Sequence, residues 1–206
     1  TIKPILDYAP LFAQREGVNY GAGSILKDEN IDKYYCAGFT GSCRLRNYTG
    51  AFYGNIPIRK ALANSLNIPA VKALYINGIE KSLNVAHELG DLSYCTDTSA
   101  GLSIAIGSGC NVRPIEHANA YASIARGGVY KPLAYIMEVK NSSGDIVEKW
   151  EDTAGKRALD AQAAYMVTDI LGDANARNLV WGSLARAKGF VVPGVWTATK
   201  TGTTTT

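Results

Sequence analysis

Histidine is almost missing from this chain, with two in 206 residues, and the four cysteines form no CxxC unit and have no histidine at zinc-ligand spacing. That argues against a structural zinc site, and nothing in the sequence calls for a metal or any other cofactor. Charge of one sign is scarce as well. Charged residues make up 19% of the chain, the net charge is +3, and no block of consecutive basic residues could track a phosphate backbone, so nucleic acid is not an expected partner. No apolar run approaches the roughly 20 residues that span a bilayer, and the first residues lack the basic, apolar and small-residue order of a signal peptide. Membrane attachment is expected only through segments outside this chain.

What is present is a hydrophobic content of 47%, enough to bury a sizeable core. The cysteines fall into two close pairs, Cys36 with Cys43 and Cys95 with Cys110. Short-loop disulfides from an oxidising compartment are the better reading, with free buried thiols as the other.

Apolar spacing predicts a helix over residues 1–13, a long ordered loop over 16–54, and helical segments over 58–63, 70–76 and 79–89. A small-residue turn at 104–110 leads to a helix over 114–125, where Pro114 suits the first turn. The period then changes. Strands are expected over 134–139 and 146–150 around the Asn141 to Asp145 turn, then a helix over 161–171 capped by Asp160, then a strand over 195–201. The expected class is α+β, an antiparallel sheet flanked by helices. The chain is expected to be an internal piece of a longer protein, since residue 1 opens inside a helical pattern and Thr203 to Thr206 directly follow an apparent strand.

Three short motifs carry chemistry. Lys3 stands on the first helix, where a serine three residues earlier would share its face and come within reach of its amine. A neutral amine there can take the serine proton and create an acylating nucleophile. Ser65-Leu66-Asn67 follows the 58–64 helix; its hydroxyl could relay a proton to a leaving amine, and its amide offers both a donor and an acceptor. Lys200-Thr201-Gly202-Thr203 combines a cation and two hydroxyls suited to a carboxylate with a glycine that admits a close backbone. Singly, each motif is weak: an S-x-N triplet is more often a surface turn or helix cap, and a lysine in a first turn is usually a solvated charge.

Taken in this order, they resemble the trio of penicillin-binding proteins and class A β-lactamases. The chain is similar to the transpeptidase domain of class A (bifunctional) penicillin-binding proteins along its whole length, 1–206. Asn47-Tyr48-Thr49-Gly50, Tyr53-Gly54, the run from Ile58 to Lys72 and that from Tyr121 to Tyr130 carry the likeness beyond the triplets. The resemblance implies the serine β-lactamase-like transpeptidase fold, incomplete at both ends. It also implies a DD-transpeptidase that cross-links peptidoglycan stem peptides through an acyl-serine and is acylated by β-lactam antibiotics at the outer face of a bacterial cell membrane. By the same likeness the nucleophile is a serine directly before Thr1, with Lys3, Ser65, Asn67 and Lys200 catalytic. Thr201, Gly202 and Thr203 would bind substrate, the Thr203 N–H completing an oxyanion hole with that of the serine.

Rival readings remain open. A penicillin-sensing receptor domain would use the same motifs. Glu80-Lys81-Ser82-Leu83-Asn84 imitates the deacylation loop of a β-lactamase, but follows the S-x-N triplet too soon and falls in an amphipathic helix. An N-terminal threonine can itself be a nucleophile, although such residues open strands and Thr1 opens a helix. His87 and His117 read as packing or surface residues, and Trp150, Trp181 and Trp196 as core or sheet-packing aromatics.

Overall fold

A computed structural model describes residues 1–14, 16–186 and 190–202, without the side chain of Arg186. The chain opens with a π-turn, Pro4–Tyr8, that runs into helix α1, Ala9–Ala13. Pro10 explains the wide turn: it has no N–H to offer Leu6, and its ring would press on the Leu6 carbonyl in a regular α-helix. The Ala9 N–H reaches back to the Pro4 carbonyl instead. Helix therefore starts at residue 3 or 4 and not at residue 1.

The expected long loop contains two ordered elements, strand β1, Ile25–Asp28, and helix α2, Asp32–Tyr35. Strand β2, Gly54–Pro57, pairs antiparallel with β1, Leu26 opposite Ile56. Three helices follow in quick succession: α3 Ile58–Ala63, α4 Asn67–Asn77 and α5 Ile79–Leu89. A 3-10 segment, Gly101–Ile106, leads to α6, Pro114–Ala125, which has the predicted bounds. Strand β3, Val129–Tyr130, pairs with β6, Lys156–Arg157, and between them β4, Glu138–Lys140, and β5, Ile146–Lys149, form the predicted hairpin, shorter at its base than expected. Helix α7, Ala161–Gly172, begins where predicted, with Asp160 Oδ1 accepting from the Gln162 and Ala163 N–H groups at 2.9 and 3.2 Å. A short helix α8, Asn178–Trp181, and a 3-10 turn, Gly182–Arg186, come last.

The fold is α+β with antiparallel pairing throughout, but its strands form three separate two-stranded ladders among the described residues. The expected strand over 195–201 is not one; this stretch is extended chain without a ladder partner, tied down where the Thr199 N–H donates to the Leu171 carbonyl at 3.0 Å. Two tryptophans also depart from expectation, Trp150 and Trp196 being exposed.

The π-turn lies at the centre of the core, against α4 and α5, while α1 lies along α7. Ile5, Leu6, Tyr8, Leu11 and Phe12 are at most 1% exposed. Burying one such side chain is worth about 1.5–3 kcal/mol, so the segment that presents Lys3 is among the best anchored in the molecule. Gly128 closes α6 onto β6: at φ +88 it sits where a Cβ would overlap the Leu159 carbonyl, and its own carbonyl accepts from the Ala158 and Leu159 N–H groups. Both cysteine pairs are bonded, with Cα separations of 5.7 and 5.2 Å, and they staple the 36–43 and 95–110 segments. No helix among the described residues is long and apolar enough to cross a membrane.

Candidate active site

The site begins with how α3 ends. The Leu66 N–H donates to the Ala61 carbonyl and the Ser65 N–H to the Leu62 carbonyl, both at 3.0 Å. This is a Schellman cap, whose pivotal residue takes a left-handed conformation and is normally glycine. Here it is Ser65, at φ +58. A side chain in that conformation costs about 1–2 kcal/mol, and in return the hydroxyl projects from a rigid turn between two helices.

Asn67 opens α4, and its backbone N–H, one of the unpaired donors at a helix start, is taken by Asn47 Oδ1 at 2.8 Å. Its side-chain amide donates to the Arg46 carbonyl at 2.6 Å, which turns Oδ1 towards the first helix. Asn47 is fixed in turn by donating to Asp28 Oδ2 at 2.8 Å and to the Ala51 carbonyl at 2.9 Å. A continuous polar chain thus runs from β1 through two asparagines to Lys3.

Lys3 Nζ donates to the Ser65 carbonyl and Asn67 Oδ1, each at 2.6 Å, and to Ser65 Oγ at 3.2 Å. An ammonium has three protons, and these three acceptors use them all. From the far end of the chain Lys200 Nζ donates to the same Ser65 Oγ at 2.7 Å and to the Thr201 carbonyl at 3.0 Å. Two amines, 62 and 135 residues away in sequence, meet on one hydroxyl.

Burial and proximity act on both amines in the same direction. Lys3 is 7% exposed and its pKa is lowered to about 8, first by desolvation, with Asp7 acting in the other direction. Lys200 is lowered to about 7 by desolvation first and by the charge of Lys3 second. Both would otherwise titrate near 10.5. Asp7, one turn beyond Lys3 and fully buried, has its carboxyl pushed well above the usual range by desolvation.

Lys3, Ser65 and Asn67 line a cleft of about 370 Å³, together with Thr1, Tyr48, Trp181, Thr201 and Gly202, and Lys200 reaches it through its bond to Ser65 Oγ. A larger cleft of about 470 Å³ lies beside the β4–β5 hairpin, but its wall is chiefly Leu133, Met137 and Trp150, and its Lys131 is already paired with Asp152 at 2.6 Å. Converging titratable groups belong to the smaller cleft. Gly202 is tight against the first residue, since a Cβ there would come 2.6 Å from Thr1 Cγ2.

Of the residues expected from sequence, Lys3, Ser65, Asn67, Lys200, Thr201 and Gly202 come together, and Thr203 lies outside the described residues. Glu80 does not join them; it is exposed in the first turn of α5, away from the cleft. Sequence reasoning missed the role of Asn47 as the brace of Asn67, although Asn47 stands in one of the stretches that carried the family likeness. It also missed His117, which contacts Thr1 and not merely the surface. No group of His, Cys, Asp and Glu among the described residues could hold a metal ion.

Comparison with known proteins bears on this geometry. The family model described as the penicillin binding protein transpeptidase domain matches residues 22–206. Penicillin-binding protein 1A/1B of Bacillus subtilis strain 168 is 32% identical over 99% of this chain, and penicillin-binding protein 1A of Streptococcus oralis 31% identical over 98%. The chain spans only 20% and 30% of those two relatives. The solved structure of penicillin-binding protein A from M. tuberculosis, an imipenem acyl-enzyme complex, superposes with a TM-score of 0.70 at 22% identity, over 98% of this chain and 47% of that one.

Proposed function

This chain belongs to the penicillin-binding protein transpeptidase family, and from that premise we propose that it is the acylating core of a serine DD-transpeptidase, cross-linking peptidoglycan stem peptides and acylated by β-lactams. The observation that carries the reading is the convergence of Lys3 and Lys200 on Ser65 Oγ, at 3.2 and 2.7 Å. The nucleophile of this reading is a serine directly before Thr1, three residues ahead of Lys3 as the family likeness requires. The proposed domain comprises 1–206, on the outer side of a bacterial cell membrane.

Lys3 in its neutral form takes the serine proton as the serine oxygen attacks the carbonyl carbon of the penultimate D-alanine. The charge that develops on the carbonyl oxygen falls to backbone N–H groups of the serine and of Thr203. Ser65, bonded to Lys3, passes the proton to the departing D-alanine nitrogen as the C–N bond breaks, leaving an ester on the serine. An amine of a second stem peptide then attacks the ester, and its proton returns through the same groups. Lys200 as an ammonium, with Thr201 and Thr203, holds the substrate carboxylate. Glu80 is exposed and is not among the residues that line this cleft, which favours transfer over β-lactamase hydrolysis.

The test uses the longer protein that includes the residue before Thr1. A fluorescent penicillin should attach covalently, one label per chain and stable for many minutes. A folded protein that takes no label would sink the reading.

The lysine pair gives this reaction a pH signature. The working state has a neutral Lys3 and a Lys200 ammonium. Taken singly, the values of about 8 for Lys3 and about 7 for Lys200 favour the opposite arrangement, so the working one is the less populated of two singly protonated forms; because the amines share Ser65, their protons leave as a coupled pair and both forms follow the same pH profile. Acylation should trace a bell with its maximum between those values, measured as the rate constant for penicillin labelling. In the unfolded chain both amines hold their protons to about 10.5, so folding releases protons and stability should rise with pH from about 7 towards 10.5. A labelling rate constant that is flat from about pH 6 to 9 would contradict the assignment of the pair.

A further inference from the structure

Thr1 is held on two sides by α6, and the mechanism above makes no use of that grip. Its Oγ1 lies 2.7 Å from His117 Nε2, and its carbonyl oxygen accepts from the Tyr121 hydroxyl at 2.7 Å. His117 and Tyr121 are four residues apart, one helical turn, so both side chains rise from the same face of α6. Their rings meet edge to face, 5.3 Å between centroids. On its other side Thr1 abuts Gly202.

Behind the imidazole stands Asp91, fully buried just past the end of α5, with Oδ2 2.6 Å from His117 Nδ1. A carboxylate can only accept, so Nδ1 carries a hydrogen and Nε2 presents its lone pair to the Thr1 hydroxyl. The arrangement is a hydroxyl, an imidazole and a buried carboxylate in line.

Building on the proposed function, we propose that Asp91 and His117 are positioning residues for acylation: they fix Thr1, and through its peptide bond they aim the preceding serine. Two properties of that serine depend on the orientation of Thr1: the direction of its Oγ relative to the Lys3 amine, and that of its N–H as an oxyanion donor. In stability, one hydrogen bond is worth only about 1 kcal/mol. Reaction geometry weighs more, because a misplacement of about 1 Å near a reacting centre can cost on the order of 10²-fold in rate.

The test is the rate constant for penicillin acylation of the full-length protein and its variants, with thermal melting alongside. Thr1→Val keeps the methyl group that faces Gly202 and loses only the hydroxyl, so its fold is not at risk. It should acylate roughly tenfold more slowly, and Thr1→Ser, which keeps the hydroxyl, should restore most of the lost rate. His117→Ala should slow the reaction to a similar degree, and the double variant His117→Ala/Thr1→Val should be no slower than either single one. Thr1→Val acylating at the wild-type rate, or losses that multiply in the double variant, would overturn the inference while leaving the proposed function standing. A wild-type protein that takes no label overturns both.

Discussion

Lys3→Ala should slow acylation by penicillin by about 10³-fold or more, the range of a lost general base. The variant also removes three donors at once, from the Ser65 carbonyl, Ser65 Oγ and Asn67 Oδ1. Ser65 Oγ keeps its bond from Lys200, but leaving the Ser65 carbonyl and Asn67 Oδ1 without that donor in a partly buried place costs about 1–3 kcal/mol each at most, so melting has to be followed together with labelling. Lys3→Arg separates the two contributions. A guanidinium supplies charge and donors but cannot surrender a proton at any relevant pH, so it should leave much of the fold's stability and still fail to acylate. An arginine variant that labels at near the wild-type rate would mean that Lys3 acts through its charge and not as a base. The position of the amine makes the base reading specific: with its pKa near 8, a useful fraction is neutral at physiological pH.

Ser65→Gly should move stability and activity in opposite directions. Glycine is the natural occupant of the left-handed residue in the cap that closes α3, so the substitution should raise stability by about 1 kcal/mol. It should also lower acylation by on the order of 10²-fold, because both lysines lose the hydroxyl on which they converge. Ser65→Ala should lose the same activity without the gain, since alanine inherits the strained φ of +58. Chemical denaturation and penicillin labelling on the same three proteins would check this, and a glycine variant that is no more stable than alanine would show that the conformation is not strained. Strain of this kind is kept where the projecting side chain has work to do.

These expectations rest on a site that was partly legible beforehand. Helices α6 and α7 were readable because each joins a regular apolar stripe to a local start signal, Pro114 in one and Asp160 in the other. The three motifs were readable because their residue types suit one reaction, and sequence order matched a known family. Strand β1 was not, because its alternation over four residues, exposed and buried in turn, is too short to stand out within a polar stretch. Asn47 was hidden for a different reason. Its importance lies in two hydrogen bonds to residues 19 and 20 positions away, and no local pattern encodes such a pairing. His117 is similar: in sequence it is one polar residue on a helix, and only folding brings Asp91 and Thr1 to its two nitrogens. The extended stretch near Lys200 misled in the opposite way, having strand composition but finding no partner among the described residues.

The wide turn at Pro4–Tyr8 determines angular phase. A regular α-helix advances about 100° per residue, and a π-turn takes roughly one residue more to complete its circle. Everything upstream of the turn is therefore rotated by about that angle relative to α1. Helix α1 has its azimuth set by the apolar faces it turns to α7, α4 and α5, whereas Lys3 must face Ser65 and Asn67. A uniform helix would tie those two directions together, so that improving the fit of one would turn the other away. The extra residue uncouples them, and the core can be repacked around α1 without swinging the amine out of register with its hydroxyl.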